Sequence, residues 1–270
     1  MNIKPEWAAF IVAVIALVQP WILYGWKTLF RKGNIEFHET GKIELGFSNF
    51  GPTIGILGTY RAINRDLFIS SIELTVIRLK NKSQNDFGWM AFRSTILSLP
   101  NLTPSHLELP TGFLVRQDKP LSLHVLFNDK STESEISTVA KSQLSGFVDF
   151  ENEHFSFIPN YQKVPDSGSL TTLDQKKEFQ DLVKNKDWQR NCYTKVDRSY
   201  YWEPGEYSLL ISIKTSDANV LFTKLLKFVI SEEDSKALKL NVIRITDATM
   251  DAFMGETESN WKFIYCDYLC

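Results

Sequence analysis

KIELGFSNFGPTIGILGTYRAINRDLFISSIELTVIRLKN, residues 42–81, decides the fold class. Apolar and polar residues alternate with period two, which places successive side chains on opposite faces of an extended strand. Ile43, Leu45 and Phe47 share one face of the segment 42–51, and Asn49, Gly51 and Pro52 then mark a turn. The stretches 53–64 and 67–81 follow as two more strands. The second sets Ile72, Leu74, Val76 and Arg78 against Glu73, Thr75, Ile77 and Leu79, so both of its faces are expected to be covered.

Working outward, the same pattern recurs at 33–40, 87–99, 106–116 and 119–128, where Leu121, Leu123, Val125 and Phe127 alternate with Ser122, His124, Leu126 and Asn128. GFVDFENEHFSFI (146–158) is expected to form a hairpin turning at Glu151–Glu153. The last strands are expected at Tyr207–Lys214 and Val220–Ile230, with a continuation over 238–246. Two insertions have helical spacing. One is 134–144, with Ile136, Val139, Ala140 and Leu144 on one face. The other is 171–190, opened by a Thr172/Gln175 capping box and striped by Phe179, Leu182 and Val183.

Short strands separated by turn residues, without regular strand–helix alternation, predict a mainly β fold: an antiparallel two-sheet β-sandwich with one or two inserted short helices. EPGEYSLLI (203–211) sharpens this, because a Pro-Gly turn two residues before Tyr207 resembles the penultimate-strand entry of immunoglobulin-like and fibronectin type III-like domains. The resemblance concerns the fold and implies no activity.

Ahead of the strands lies WAAFIVAVIALVQPWILYGW (7–26), which has no charged residue. At about 1.5 Å per residue it would span about 30 Å as a helix, one hydrocarbon core. Its apolar run continues past Ala16, too long for a cleaved signal peptide. The segment is therefore expected to be a single transmembrane helix that interacts with the lipid bilayer, with Trp7, Trp21, Tyr24 and Trp26 at the interfaces. Lys27, Arg31 and Lys32 follow it, and by the positive-inside rule they place the large domain in the cytoplasm of a single-pass protein of a bacterial inner membrane. The expected organisation is a short tail (1–6), the span (7–26), a basic juxtamembrane segment (27–33), the sandwich (34–246) with its helical insertion (171–190), and an apolar C-terminal segment (247–270).

The 270 residues carry 30 Lys+Arg against 32 Asp+Glu, so no basic excess directs the molecule at nucleic acid, which is not an expected partner. Three cysteines, Cys192, Cys266 and Cys270, are too few for a disulfide framework and fit reduced thiols. Catalytic motifs fail on spacing. GFSNFG (46–51) misses the nucleophile-elbow pattern, His38-Glu39 has Lys42 where a zincin needs a second histidine, and GPTIGILG (51–58) is no phosphate loop. Gly55 and Gly58 in that stretch are expected to serve close packing or a bulge.

No catalytic residue and no cofactor are expected. The one acidic constellation is Asp149, Glu151 and Glu153, which would share a strand face and suit a hard cation. It supports an alternative reading as a metal-assisted hydrolase. A basic and aromatic stretch, 184–202, interleaves Lys184, Lys186, Arg190, Lys195 and Arg198 with Trp188, Tyr193, Tyr200, Tyr201 and Trp202. The tail WKFIYCDYLC (261–270) adds Trp261 and Phe263. Both segments either pack their aromatics onto the sandwich or meet a partner; since exposed Trp, Tyr and Arg dominate protein interfaces, at least one of them is expected to do the latter, with Trp188, Tyr200, Tyr201, Trp202, Trp261 and Phe263 as the contacts for a protein partner or a homo-oligomer. The functional expectation is a non-enzymatic, membrane-anchored interaction protein that recruits or scaffolds a partner. A second alternative is a membrane effector acting through oligomerisation of its span.

Overall fold

A computed structural model describes residues 5–30, 33–94, 106–154, 173–216, 220–255 and 261–269. The strands are β1 (Asn34–Ser48), β2 (Gly51–Ile63), β3 (Leu67–Arg78), β4 (Ser83–Ser94), β5 (His106–Glu108), β6 (Phe113–Val115), β7 (Leu121–Asn128), β8 (Gly205–Thr215), β9 (Val220–Ile230) and β10 (Phe263–Cys266). The helices are α1 (Pro5–Phe30), α2 (Lys130–His154), α3 (Leu173–Val183), α4 (Asp187–Arg198) and α5 (Glu232–Phe253).

All strand pairs are antiparallel, and the sheet order is β10-β1-β2-β7-β4-β3-β8-β9, with β5 beside β4 and β6 beside β3. The expected immunoglobulin-like or fibronectin type III-like sandwich is thereby corrected: the protein is a curled antiparallel sheet, a half-barrel, with five helices among the described residues. The reason lies in β4. Its first half pairs with β3, as in Phe87 opposite Leu74, and its second half pairs with β7, as in Gly88 opposite Asn128. One strand thus sews together what the sequence suggests are two sheets. A register shift between Trp89 and Ala91 falls at that seam. A bulge there bends the strand and tightens its twist, which turns the sheet back on itself. Its far ends approach: the Leu269 amide donates to the Lys227 carbonyl at 2.8 Å, Phe37 meets Phe222 edge-on, and Lys224 pairs with Glu39.

The core fills one face of this curl. Ile43, Leu45, Phe47, Ile54 and Ile56 are at most 1% exposed, and Ile136, Val139, Val196, Leu238, Val242 and Ile245 close it from the helices. At its centre Trp202 is fully buried, its indole N–H donating to the Gly46 carbonyl at 2.7 Å. Tyr207 does form the corner its motif suggests, its hydroxyl donating to the Glu203 carbonyl at 2.7 Å. This local device therefore occurs here outside a sandwich.

Two segments expected as strands are helical. The 146–158 hairpin is corrected over its described part, 146–154, which is the second half of α2. Ile136, Val139, Gln143, Phe147 and Phe150 are buried at spacings of three and four, a 3.6-residue period. Asp129 precedes the helix, and its carboxylate accepts from Ser131 N (2.9 Å) and Thr132 Oγ1 (2.9 Å). Burial pushes its pKa up, but these bonds outweigh burial and hold the group below the usual carboxylate value. The strand over 238–246 is corrected to the middle of α5, where Leu238, Val242, Ile245, Thr249 and Phe253 form the buried stripe. Ser231 caps it by accepting from the Asp234 amide at 3.1 Å. The helical insertion over 171–190 divides into α3 and α4. Thr172 and the Gln175 side chain lie outside the described residues. The ends of α2, α3 and α5 enclose a second cluster of Phe147, Phe150, Phe179 and Phe253, with Trp188 against it.

The transmembrane expectation is corrected as well: among the described residues no helix is long and apolar enough to cross a membrane. In α1 the apolar run is interrupted by Gln19 and Pro20. The single-pass inner-membrane location falls with it. Of the expected anchors, Trp21 and Tyr24 are exposed, and the side chains of Trp7, Trp26, Lys27, Arg31 and Lys32 lie outside the described residues.

Candidate functional site

The pleat that turns Ile43, Leu45, Ile54 and Ile56 toward the core turns their neighbours to the opposite face. Glu44 stands opposite Gly55, Gly55 opposite Leu126, and Arg93 opposite His124. Gly55 is what lets these groups meet. A Cβ there would come within 2.7 Å of His124 Nε2 and 3.1 Å of Glu44 Cβ, so only a residue without a side chain leaves room above β2. Through that gap Arg93 Nη1 donates to both oxygens of Glu44, at 2.7 Å and 2.6 Å. The Glu44 side chain is 6% exposed and that of Arg93 19%. His124 Nε2 lies 4.0 Å from Glu44 Oε2. Burial draws the His124 pKa below its ordinary value; Glu44 opposes that shift and Arg93 adds to it, so the imidazole is neutral at pH 7.

Over this ion pair lies a cavity of about 200 Å³. Phe50, Met90, Leu107, Leu126, Trp261 and Phe263 give it apolar walls, and Ser48, Asn49 and Thr53 line it beside Glu44 and Arg93. The Phe263 ring stacks over the guanidinium, 5.9 Å from centroid to Cζ. It rests on Gly46, where a Cβ would come within 2.9 Å of the ring. At the rim Phe50, Leu107 and Phe263 stay 45%, 52% and 39% exposed. The combination is an ion pair sunk beneath an apolar, aromatic mouth. Burying two charges is expensive in proportion to their desolvation, and a concave apolar site with a few convergent polar groups is the usual form of a binding pocket.

The residues singled out from sequence are distributed differently. Trp261 and Phe263 line this cleft. Trp202 is interior, and Tyr200 beside it donates to the carbonyls of Trp202 and Ser235 at 2.8 Å and 2.7 Å. Tyr201 is half-buried against Phe87 and Trp202. Trp188 packs edge-on to Phe147, 5.3 Å between centroids, in the separate helical cluster. Asp149, Glu151 and Glu153 sit on α2, where residues two apart point in different directions: Asp149 and Glu153 are exposed and Glu151 is buried. Among the described residues no group of three or more His, Cys, Asp or Glu is placed to hold a metal ion.

Cys192 and Cys266 are buried free thiols, and Cys270 lies outside the described residues. Burial, with Asp234 and Asp267 nearby, pushes the Cys266 thiol up to about 12, which makes it a poor nucleophile. Sequence reasoning misses Glu44, Arg93 and His124 because each occupies an ordinary polar position of an alternating strand. The available signal is Gly55, which the sequence marks for close packing without showing what packs there.

No family model, no curated protein and no solved structure matches the chain.

Proposed function

We propose that the protein is a non-enzymatic interaction module that binds a protein partner through the cleft beside β10. The supporting observation is the exposed aromatic and aliphatic rim of Phe50, Leu107 and Phe263 around the buried Glu44–Arg93 pair, on a sheet face that is not part of the core. Exposed apolar clusters on folded proteins mark contact surfaces, and aromatic anchors seated in well-packed pockets carry most of an interface's free energy. Trp261 and Phe263 belong to both the C-terminal segment and the cleft, so the partner reading of the tail and the geometry of the cavity coincide.

The test is purification of the full chain from its native host beside two variants. Phe263→Ser removes the rim, and Leu240→Ser removes an exposed apolar side chain (51%) on α5, away from the cleft. A protein that co-purifies in stoichiometric amount with the wild type and with Leu240→Ser, and is lost with Phe263→Ser, supports the reading. Equal retention by all three refutes it.

A further inference from the structure

The geometry points to one occupant for the cleft: a neutral aromatic side chain of the partner, tryptophan or tyrosine, whose N–H or O–H donates to Glu44. The inference rests on the binding function proposed above and adds the chemistry of the anchor. Three features carry it.

The first is charge. Glu44 and Arg93 sum to zero and His124 is neutral, so the site offers no net field. A carboxylate entering it meets Glu44, and an ammonium meets Arg93. An ammonium would leave water without a free counter-charge, and a carboxylate would find only the unpaired Arg93 Nε–H beside the charge of Glu44.

The second is the unused acceptor. A carboxylate has about four lone-pair directions, and Arg93 Nη1 occupies one on each oxygen. Tyr265 stands opposite Glu44 on β10, and with one remaining direction given to it the carboxylate keeps capacity for a further donor at a group that lines the cavity. A purely aliphatic occupant would cover that acceptor without satisfying it, at a penalty a donor avoids.

The third is size and surface. A cavity of about 150 Å³ holds a benzene. The roughly 200 Å³ found here admits a phenol or an indole. Trp261 and Phe263 supply aromatic walls suited to edge-to-face and offset contacts with such a ring.

The experiment uses the full chain and four single-ring or bicyclic probes: indole, p-cresol, benzoate and benzylamine. Binding is followed by ligand-observed NMR and by protein amide shifts. Indole and p-cresol are expected to bind with Kd on the order of 1 mM, the range open to ligands of this few atoms. Benzoate and benzylamine are expected to bind at least tenfold more weakly. Phe50→Glu places a charge at the rim without touching the ion pair, and should abolish indole binding while leaving circular dichroism and the thermal midpoint of the protein unchanged.

Binding of benzoate or benzylamine as tightly as indole overturns the proposal. So does indole binding that survives Phe50→Glu, and so does the absence of binding by both neutral probes. Indole binding together with partner retention by Phe263→Ser would uphold the cleft chemistry and refute the protein-binding function. Loss of the partner without indole binding would do the reverse.

Discussion

Removing one member of the Glu44–Arg93 pair tests whether the outer face of the sheet is an interior environment. Both side chains are largely shielded, at 6% and 19% exposure, and Arg93 Nη1 bonds both carboxylate oxygens. Breaking a buried pair from one side costs about 3–5 kcal/mol, because the remaining charge stays desolvated without a partner. Arg93 retains some solvent contact, so Arg93→Leu belongs at the lower end, about 3 kcal/mol. At roughly 2–4 °C per kcal/mol for a chain of this size, the thermal midpoint should fall by about 6–12 °C. The double variant Glu44→Leu with Arg93→Leu leaves no orphan charge and should recover most of the loss, since apolar replacement of a buried pair is often neutral or favourable. Urea unfolding of the wild type, both single variants and the double variant closes the cycle. A single-variant loss below about 1 kcal/mol is what a solvent-exposed pair would give, and would refute the claim that this site is dry.

Three further outcomes are expected. Trp202→Ala removes a fully buried indole and its bond to Gly46, and should lower stability by about 3–5 kcal/mol in denaturant titration, with loss of the near-ultraviolet dichroism of the core. The His124 pKa lies below its unfolded value, so the folded state binds fewer protons. Stability is then fully present above about pH 6.5 and declines as pH falls through that value toward the folded pKa, and His124→Gln should flatten this decline in urea midpoints measured between pH 7.5 and 5. Asn241 is fully buried and holds Lys262 by two backbone bonds of 2.7 Å and 2.9 Å; Asn241→Leu should speed hydrogen exchange at Ile264 and Cys266 well before the amides of β3 and β8 respond.

The strands were the legible part of the sequence. The segments 53–64, 67–81, 119–128, 207–214 and 220–230 form strands near the expected limits, whereas 33–40 and 42–51 join into the single β1, 87–99 shifts to β4, and 106–116 breaks into β5 and β6 on different partners. The failures share a cause. Phe147 and Phe150, like Leu238, Val242 and Ile245, are apolar at spacings of three and four, but in short windows rich in Asp, Glu and Thr a strand can be drawn through the same residues. The sandwich reading failed at β4, whose change of partner from β3 to β7 depends on residues 40 positions away and leaves no mark in its own composition. The span expectation rests on length and hydropathy over 7–26, where Gln19 and Pro20 interrupt the apolar run, and no helix among the described residues is long and apolar enough to cross a membrane. The site was nearly invisible, since Glu44 and Arg93 are 49 residues apart and nothing local distinguishes them from solvated strand charges.

The pairing of β1 with β10 also governs the order of events during synthesis. Ile43 opposes Cys266, so the edge of β1 waits for about 220 residues of later chain before its last partner exists. At translation rates of about 5–20 residues per second, that is roughly 10–45 s in which a ribosome-bound chain holds an incomplete sheet. Throughout it, the backbone donors and acceptors of residues 43–46 that do not bond β2 face outward, a template for pairing with another nascent chain. Any chain that stalls or is cut before residue 261 keeps this edge permanently open. Its expected fate is chaperone capture or strand-to-strand aggregation, even where nine of the ten described strands and the five described helices are already made.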